Sequence, residues 1–316
     1  MTPNTVDVIK TKPSPEGRLA GMQEVEQCRS NCREGWVRGN QNKEESLFES
    51  PLIPAFSLKG EGGAVLKSTV LRIKPCIVIP VYNHEAAIPH VLAKLKNFGI
   101  PALLVNDGSS AHCSQVLADC AEREPDWLTL INRPENGGKG AAVLDGFKAA
   151  QALGFSHALQ IDADGQHDVN DIPAFLEAGR QHPEALILGR PLFDSTAPKS
   201  RVYGRTIANL WVWINTLSFA IEDSMCGFRL YPLDAVAKLS RVTGIAGGMD
   251  FDIDILVRLY WQGVNVVNIP TAVQYPYDGV SHFKLWRDNA MISKTHAKLF
   301  FGMLLRIPQL LSRRRL

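Results

Sequence analysis

The strongest constraint on what this chain can fold into is a rhythm that begins at Pro75. Short β-branched runs alternate there with stretches of helical period. Cys76-Ile77-Val78-Ile79-Pro80-Val81 reads as a buried strand, broken by Tyr82-Asn83-His84. Over residues 85–98 the apolar positions Ala86, Ile88, Val91, Leu92, Leu95 and Phe98 fit one face of a helix, with Pro89 tolerable only in its first turn. Strands are predicted at 102–105, 128–131 and 158–161, and helices at about 113–123 and 141–151. This order predicts an α/β fold with a mostly parallel central sheet and helices on both faces. In such sheets ligands bind beyond the carboxyl ends of the strands. Asn83, Asp107, Lys139 and the pair Asp162 and Asp164 all fall there, so four polar clusters should converge on one edge.

The second half is less regular. A helix is predicted over 172–181 and a strand over 185–188, ending at Gly189-Arg190. The apolar run 207–221, with Trp211, Trp213 and Phe219, is too short to span a bilayer and reads as a core or interfacial helix. Residues 223–229 read as a loop, 251–261 as a helix with Asp250, Asp252 and Asp254 at its start, and 264–269 as a late strand. Residues 1–70 are polar and mixed in charge and are expected to form a poorly ordered extension. The folded domain is expected over 71–288 and a basic amphipathic tail over 289–316.

The carboxylates carry the chemistry. Asp162 and Asp164 follow the fourth strand and share a face of an extended segment, with Gly165 letting the chain turn. Two hard oxygen ligands so placed suit Mg2+ or Mn2+, with waters and substrate phosphates completing the shell. Taken alone, the pair could be an acidic turn. Several other readings fail on the letters. Gly137-Gly138-Lys139-Gly140 lacks the hydroxyl and spacing of a P-loop. The turn after the first strand lacks GxGxxG. An EF-hand starting at Asp162 would put His167 and Pro173 where Gly and Glu are needed. An aspartyl-phosphate phosphatase would carry its paired carboxylates after the first strand.

Four stretches together resemble the family 2 glycosyltransferases of the GT-A fold. They are residues 77–85 (IVIPVYNHE), 105–110 (VNDGSS), 136–140 (NGGKG) and 162–166 (DADGQ). The resemblance runs from about Pro75 to Phe283. Gln166 after the carboxylate pair and the later 223–229 (DSMCGFR) point to the dolichol-phosphate mannose synthase-like branch. It implies an inverting, metal-dependent transfer of sugar from a nucleotide-sugar donor, with a polyprenyl phosphate or other membrane lipid as acceptor. The alternatives are a soluble or glycan hydroxyl acceptor, or nucleotidyl transfer.

By that resemblance Asp162, Asp164 and Gln166 form the site for Mg2+ or Mn2+, and Asp107 bonds the base or ribose. Pro80, Tyr82, Asn83 and Glu85 shape the donor pocket, and Lys139 reaches the base or a phosphate. Arg190, Arg201, Arg205 and Arg229 are candidates for phosphate contacts, the guanidinium fork matching phosphate oxygens. A hydroxyl acceptor would need a general base, for which Asp223, Asp252 and Asp254 are candidates beside Asp164 in the catalytic set. Asp252 and Asp254 lie two apart on a helix, so at most one faces the site.

Net charge is +2, too small to draw the chain to nucleic acid. The six cysteines have no regular spacing; with no secretory signal peptide read, they are expected to be reduced thiols in a cytosolic protein. The closest pair, Cys28 and Cys32, has no second pair to complete a zinc site. After Phe283 acids nearly vanish while Lys294, Lys298, Arg306 and Arg313-Arg314-Arg315 accumulate among Phe300, Phe301, Leu304 and Leu305. Such a segment predicts peripheral attachment to the cytoplasmic face of a membrane.

Overall fold

The computed structural model describes residues 73–192, 199–273 and 284–313. The expectations for residues 1–70, the pair Cys28 and Cys32, the side chain of Arg201, and Arg314 and Arg315 lie outside them. The four cysteines among the described residues, Cys76, Cys113, Cys120 and Cys226, are free and buried.

Four strands arrive in the expected order: β1 (Pro75–Val81), β2 (Ala102–Asn106), β3 (Leu128–Asn132) and β4 (His157–Gln160). The helices between them are α1 (Ile88–Leu95), α2 (Ala111–Arg123) and α3 (Lys139–Ala152). Pro89 does sit in the first turn of α1, so that helix begins at Ile88 and not at Glu85. Then follow α4 (Ile172–Gln181), β5 (Leu186–Leu192), α5 (Lys199–Thr216), β6 (Arg229–Pro232), α6 (Leu233–Val242), α7 (Phe251–Trp261), β7 (Val266–Ala272), α8 (Leu285–Leu304) and α9 (Ile307–Arg313).

The seven strands form one sheet in the order β3-β2-β1-β4-β6-β5-β7. β3, β2, β1 and β4 are mutually parallel, while β6 runs antiparallel to both β4 and β5. The order reverses between β1 and β4, where a crevice opens beyond the strand ends. Strand β6 and helix α6 are not foreseen by periodicity. Arg-Leu-Tyr-Pro is too short to show a two-residue period, and it is buried along its whole length. Helix α5 starts eight residues before the apolar run and stops at Thr216, because Leu217 takes a left-handed backbone (φ 49°).

Alternation along β1 divides the core. Cys76 and Val78 face one side, with Phe147 of α3, Phe251 of α7, and Leu299 and Met303 of α8. Ile77, Ile79 and Val81 face the other, with Ile88 and Leu95 of α1, Leu117 of α2 and Phe175 of α4. The expected division at residue 288 therefore falls inside α8, whose inner face belongs to the domain core. Leu310 of α9 joins the same core, and the Arg313 guanidinium donates to the carbonyls of Tyr260, Gly263 and Val264. Arg313 is thus held by the domain and not released to a membrane. Among the described residues no helix is long and apolar enough to cross a bilayer.

Candidate active site

The site is built at the β1/β4 reversal from the loops after β2, β3 and β4, the loop before β6, and the starts of α3 and α7. Helix α3 begins at Lys139, directly after Gly138. Gly138 has φ 94°, and a Cβ there would lie 2.8 Å from the Gly247 carbonyl oxygen, so glycine is needed on both counts. Asp107, at the end of β2, fixes this loop: its carboxylate accepts N–H bonds from Gly137 and Gly138, both at 2.9 Å, and pairs with Arg133. Arg133 is anchored in turn by Asp145 at 2.8 Å. Burial pushes the Asp107 pKa above the ordinary carboxylate value despite these partners.

The loop so held aims Lys139 at Asp162. The ammonium lies 2.9 Å from Oδ1 and 3.1 Å from Oδ2 of Asp162, and 2.8 Å from Oδ2 of Asp252. Burial alone would raise the Asp162 pKa, but the Lys139 charge and the His167 ring hold it well below the usual range. Asp164 goes the other way. Burial and the charge of Asp162 raise its pKa, and the Gln166 N–H donated to its Oδ1 at 3.1 Å only partly offsets them.

Asp162 is also shaped from behind by Gly227. A Cβ at that position would collide with all three atoms of the Asp162 carboxylate group. His167 is a site residue the sequence reading did not single out. Its Nε2 is 3.5 Å from Asp162 Oδ2, its ring stacks on Phe228 at 5.4 Å, and its buried Nδ1 has no hydrogen-bond partner among the described residues. Its proximity to the carboxylate pair was the available signal.

A divalent cation fits this chemistry. Asp162 and Asp164, beyond the end of β4, would supply the hard carboxylate oxygens that such an ion takes. Among the described residues, no three His, Cys, Asp or Glu side chains are gathered into a complete cage.

Of the three proposed bases only Asp252 reaches this centre. Its Oδ2 pairs with Lys139 and its Oδ1 accepts from Gln160 at 3.3 Å. Asp254 is turned away, as the helical spacing required: it pairs with Arg258 at 2.6 Å and accepts the Ala246 N–H at 2.9 Å. Asp223 is committed to its own loop, accepting from Met225 and Cys226 and pairing with Arg205 at 3.2 Å.

The expected phosphate contacts are also redistributed. Arg229 is fully buried and donates to the carbonyls of Cys226, Ser224 and Asp252, so it braces the site from beneath. Arg190 is exposed and pairs with Glu222 at 3.1 Å. Asn83 ties two loops together, its N–H donating to Ser109 Oγ and its Oδ1 accepting from Ser110. Glu85 lies toward α2: a hydrogen bond from its own backbone N–H lowers its pKa, aided by Cys113 and His112. Pro80 pairs across from Val105, and Tyr82 is partly exposed at the end of β1.

Comparison with known proteins places the chain in a family and its fold among solved structures. The model of the family described as glycosyl transferase family 2 matches residues 76–236. Polyprenol monophosphomannose synthase of Mycolicibacterium smegmatis is 27% identical, over 70% of this chain and 84% of that protein. Undecaprenyl-phosphate mannosyltransferase of Micrococcus luteus is 26% identical, over 61% of this chain and 80% of its own. Among solved structures, glucosyl-3-phosphoglycerate synthase from Mycobacterium tuberculosis, with Mn2+, uridine diphosphate and phosphoglyceric acid, aligns at a TM-score of 0.54. It covers 73% of this chain and 78% of that one, at 12% identity, and shows the shared GT-A fold. The nucleotidyltransferase alternative is set aside by the family match.

Proposed function

We propose a reaction for this chain, which belongs to glycosyl transferase family 2 and is a glycosyltransferase of the dolichol-phosphate mannose synthase-like branch. It transfers a sugar from a nucleotide-sugar donor to a polyprenyl phosphate, with inversion at the anomeric carbon and a divalent cation, Mg2+ or Mn2+, held by Asp162 and Asp164. The observation that carries this reading is the convergence of that carboxylate pair with Lys139, 2.9 Å from Asp162, at the point where the strand order reverses.

The bound cation supplies Lewis-acid stabilisation of the charge that builds on the departing diphosphate. Asp107 holds the Gly-rich loop in register and so delivers Lys139 to the phosphates. An acceptor phosphate oxygen bonds to the anomeric carbon as the bond from that carbon to the donor diphosphate breaks, and the electron pair leaves with the nucleoside diphosphate. A phosphate acceptor is already an anion and needs no general base. That agrees with the commitment of Asp223 and Asp254 to main-chain N–H groups. With a hydroxyl acceptor, Asp252 would take the base role. Incubating a panel of nucleotide sugars with Mn2+ and polyprenyl phosphate should yield labelled lipid with inverted configuration and free nucleoside diphosphate. Asp164→Asn should lose nearly all transfer with an unchanged melting temperature. Labelled product only on soluble hydroxyls would overturn the lipid acceptor, and activity indifferent to chelator would overturn the metal.

The acceptor chemistry calls for a membrane surface, and two adjacent helices offer one. On α5 the exposed side chains include Tyr203, Ile207, Leu210 and Trp211, and on α8 Trp286, Phe301 and Leu304, with Leu305 directly following. Trp211 and Phe300 meet edge to face at 6.3 Å, which joins the two faces. Arg287, Lys294 and Lys298 are exposed beside them, and no acid follows Asp288 in the sequence. Each basic residue near the anionic cytoplasmic leaflet contributes about 1 kcal/mol, and each buried aromatic or leucine roughly 1.5–3 kcal/mol. The protein should co-sediment with anionic vesicles and leave them at high salt. The double variant Phe301→Glu, Leu305→Glu should stay in solution while melting normally; equal binding of both proteins would refute this surface.

A further inference from the structure

We propose that Lys139 is a built-in rival of the divalent cation for Asp162, and that the donor diphosphate draws the ammonium away so that the metal enters only with nucleotide. The inference rests on the metal assignment above and goes beyond it to the order and coupling of binding.

Three observations carry it. Lys139 Nζ touches both oxygens of Asp162, at 2.9 and 3.1 Å, and bridges to Asp252 at 2.8 Å. An ammonium so placed hydrogen-bonds Oδ2, lies against Oδ1, and neutralises the carboxylate that a metal would need. Secondly, the backbone around the residue is held by partners other than those of its tip. Asp107 holds Gly137 and Gly138, and the N–H groups of Gly140 and Ala141 donate to the carbonyls of Gly248 and Gly247. The four-carbon stem can therefore swing its charge without moving the loop. Thirdly, the local charges count against simultaneous occupancy. Asp162, Asp164 and Asp252 face Lys139 and Arg229, a formal balance of one negative charge. A divalent ion added beside an unmoved lysine would put like charges within a few ångströms of each other in a poorly solvated site. A diphosphate adds the negative charge that lets both cations stay, the metal on the carboxylates and the lysine on the phosphate.

The consequence is positive coupling between metal and nucleotide, reciprocal by thermodynamic necessity. A lysine that served only as a donor contact would leave metal affinity untouched when nucleotide is absent. Binding of Mn2+ alone to the full chain, read by the electron paramagnetic resonance signal of free Mn2+, separates the two. Lys139→Met should bind Mn2+ more tightly than the natural chain by roughly 5- to 150-fold, the ordinary span of a coupling between two ligands. Adding UDP or GDP should shrink or reverse that difference. Lys139→Gln, which keeps a hydrogen-bond donor but no charge, should tighten Mn2+ binding in the same way and takes the place of the methionine variant if that one folds poorly, and Lys139→Arg should retain weak binding. Unchanged or weaker Mn2+ binding by both uncharged variants overturns the proposal. Asp162→Asn reports on the underlying assignment: if it binds Mn2+ as the natural chain does, with and without nucleotide, the metal site itself is misplaced. If Mn2+ binding needs Asp162 yet ignores Lys139, only the competition is wrong.

Discussion

Replacing Arg229 tests whether the site is braced from beneath or contacted from above. The side chain is fully buried, and its fork meets three main-chain carbonyls: Cys226 at 2.7 Å, Asp252 at 2.7 Å and Ser224 at 2.8 Å. In Arg229→Met the volume is nearly kept, but three buried acceptors lose a charged donor, each worth about 1.5–3 kcal/mol. These losses do not simply add, because removing a guanidinium also removes its desolvation cost. Breaking one side of a buried charged network costs about 3–5 kcal/mol, and we take that as the net. For a domain of this size, each kcal/mol lowers the melting temperature by about 2–4 °C, so a drop of roughly 6–20 °C is expected in calorimetry. Arg229→Lys should also melt early, since one ammonium cannot serve three carbonyls set around a planar fork. Nucleoside diphosphate binding, measured well below the melt, should change less than stability does. If Arg229→Lys melts within about 1 °C of the natural chain while nucleotide affinity collapses, the arginine is a phosphate contact and the bracing argument fails.

Gly227→Ala should cost about 1–3 kcal/mol from overpacking and abolish transfer, because its Cβ would push Asp162 off Lys139 and off any bound cation; a chemical melt together with an Mn2+ titration checks it, and normal Mn2+ binding would contradict the contact. His296 should make stability depend on pH. Burial lowers its pKa from 6.5 to about 4, so as pH falls below 6.5 the unfolded chain takes up the proton first. Stability is fully present above that value and is lost progressively toward pH 4, by up to about 3 kcal/mol. Melting curves of the natural chain and His296→Leu should converge in slope above neutrality and differ below it; parallel curves would remove His296 from the account.

Much of the site's position is legible in the letters, and much of its wiring is not. Runs such as Ile77-Val78-Ile79 announce buried strands, and Asp-x-Asp-Gly after the fourth run marks where a parallel sheet presents its ligands. Those signals are local, so they survive without tertiary information. The partners of these residues are not local. Lys139 meets Asp252 across 113 positions, and Asp107 meets peptide N–H groups, which no letter distinguishes. A guanidinium in sequence promises a fork but not whose oxygens fill it; Arg229 found carbonyls where phosphates were expected. Strand β6 was missed for a different reason: four residues carry no period, and their strand character comes only from pairing with β4 and β5.

The C-terminal helices show the same division between composition and placement. Read as letters, the basic and apolar residues after 288 form one amphipathic segment. In the fold they separate by face. Leu299, Met303 and Leu310 enter the core, Arg306 covers the Trp261 ring at 4.6 Å, and Arg313 covers Tyr260 at 4.1 Å. Trp286, Phe301, Leu304 and Leu305 remain outward beside the apolar face of α5, and Leu311 of α9 is exposed as well. Among the described residues of α8, Arg287, Lys294 and Lys298 keep exposed charges beside that face, and the exposed aromatic side chains are shared between two helices. Truncation at residue 288 would therefore open the core as well as remove the surface, and its failure to bind vesicles would say nothing about lipid. Only substitutions confined to the outward face separate attachment from folding.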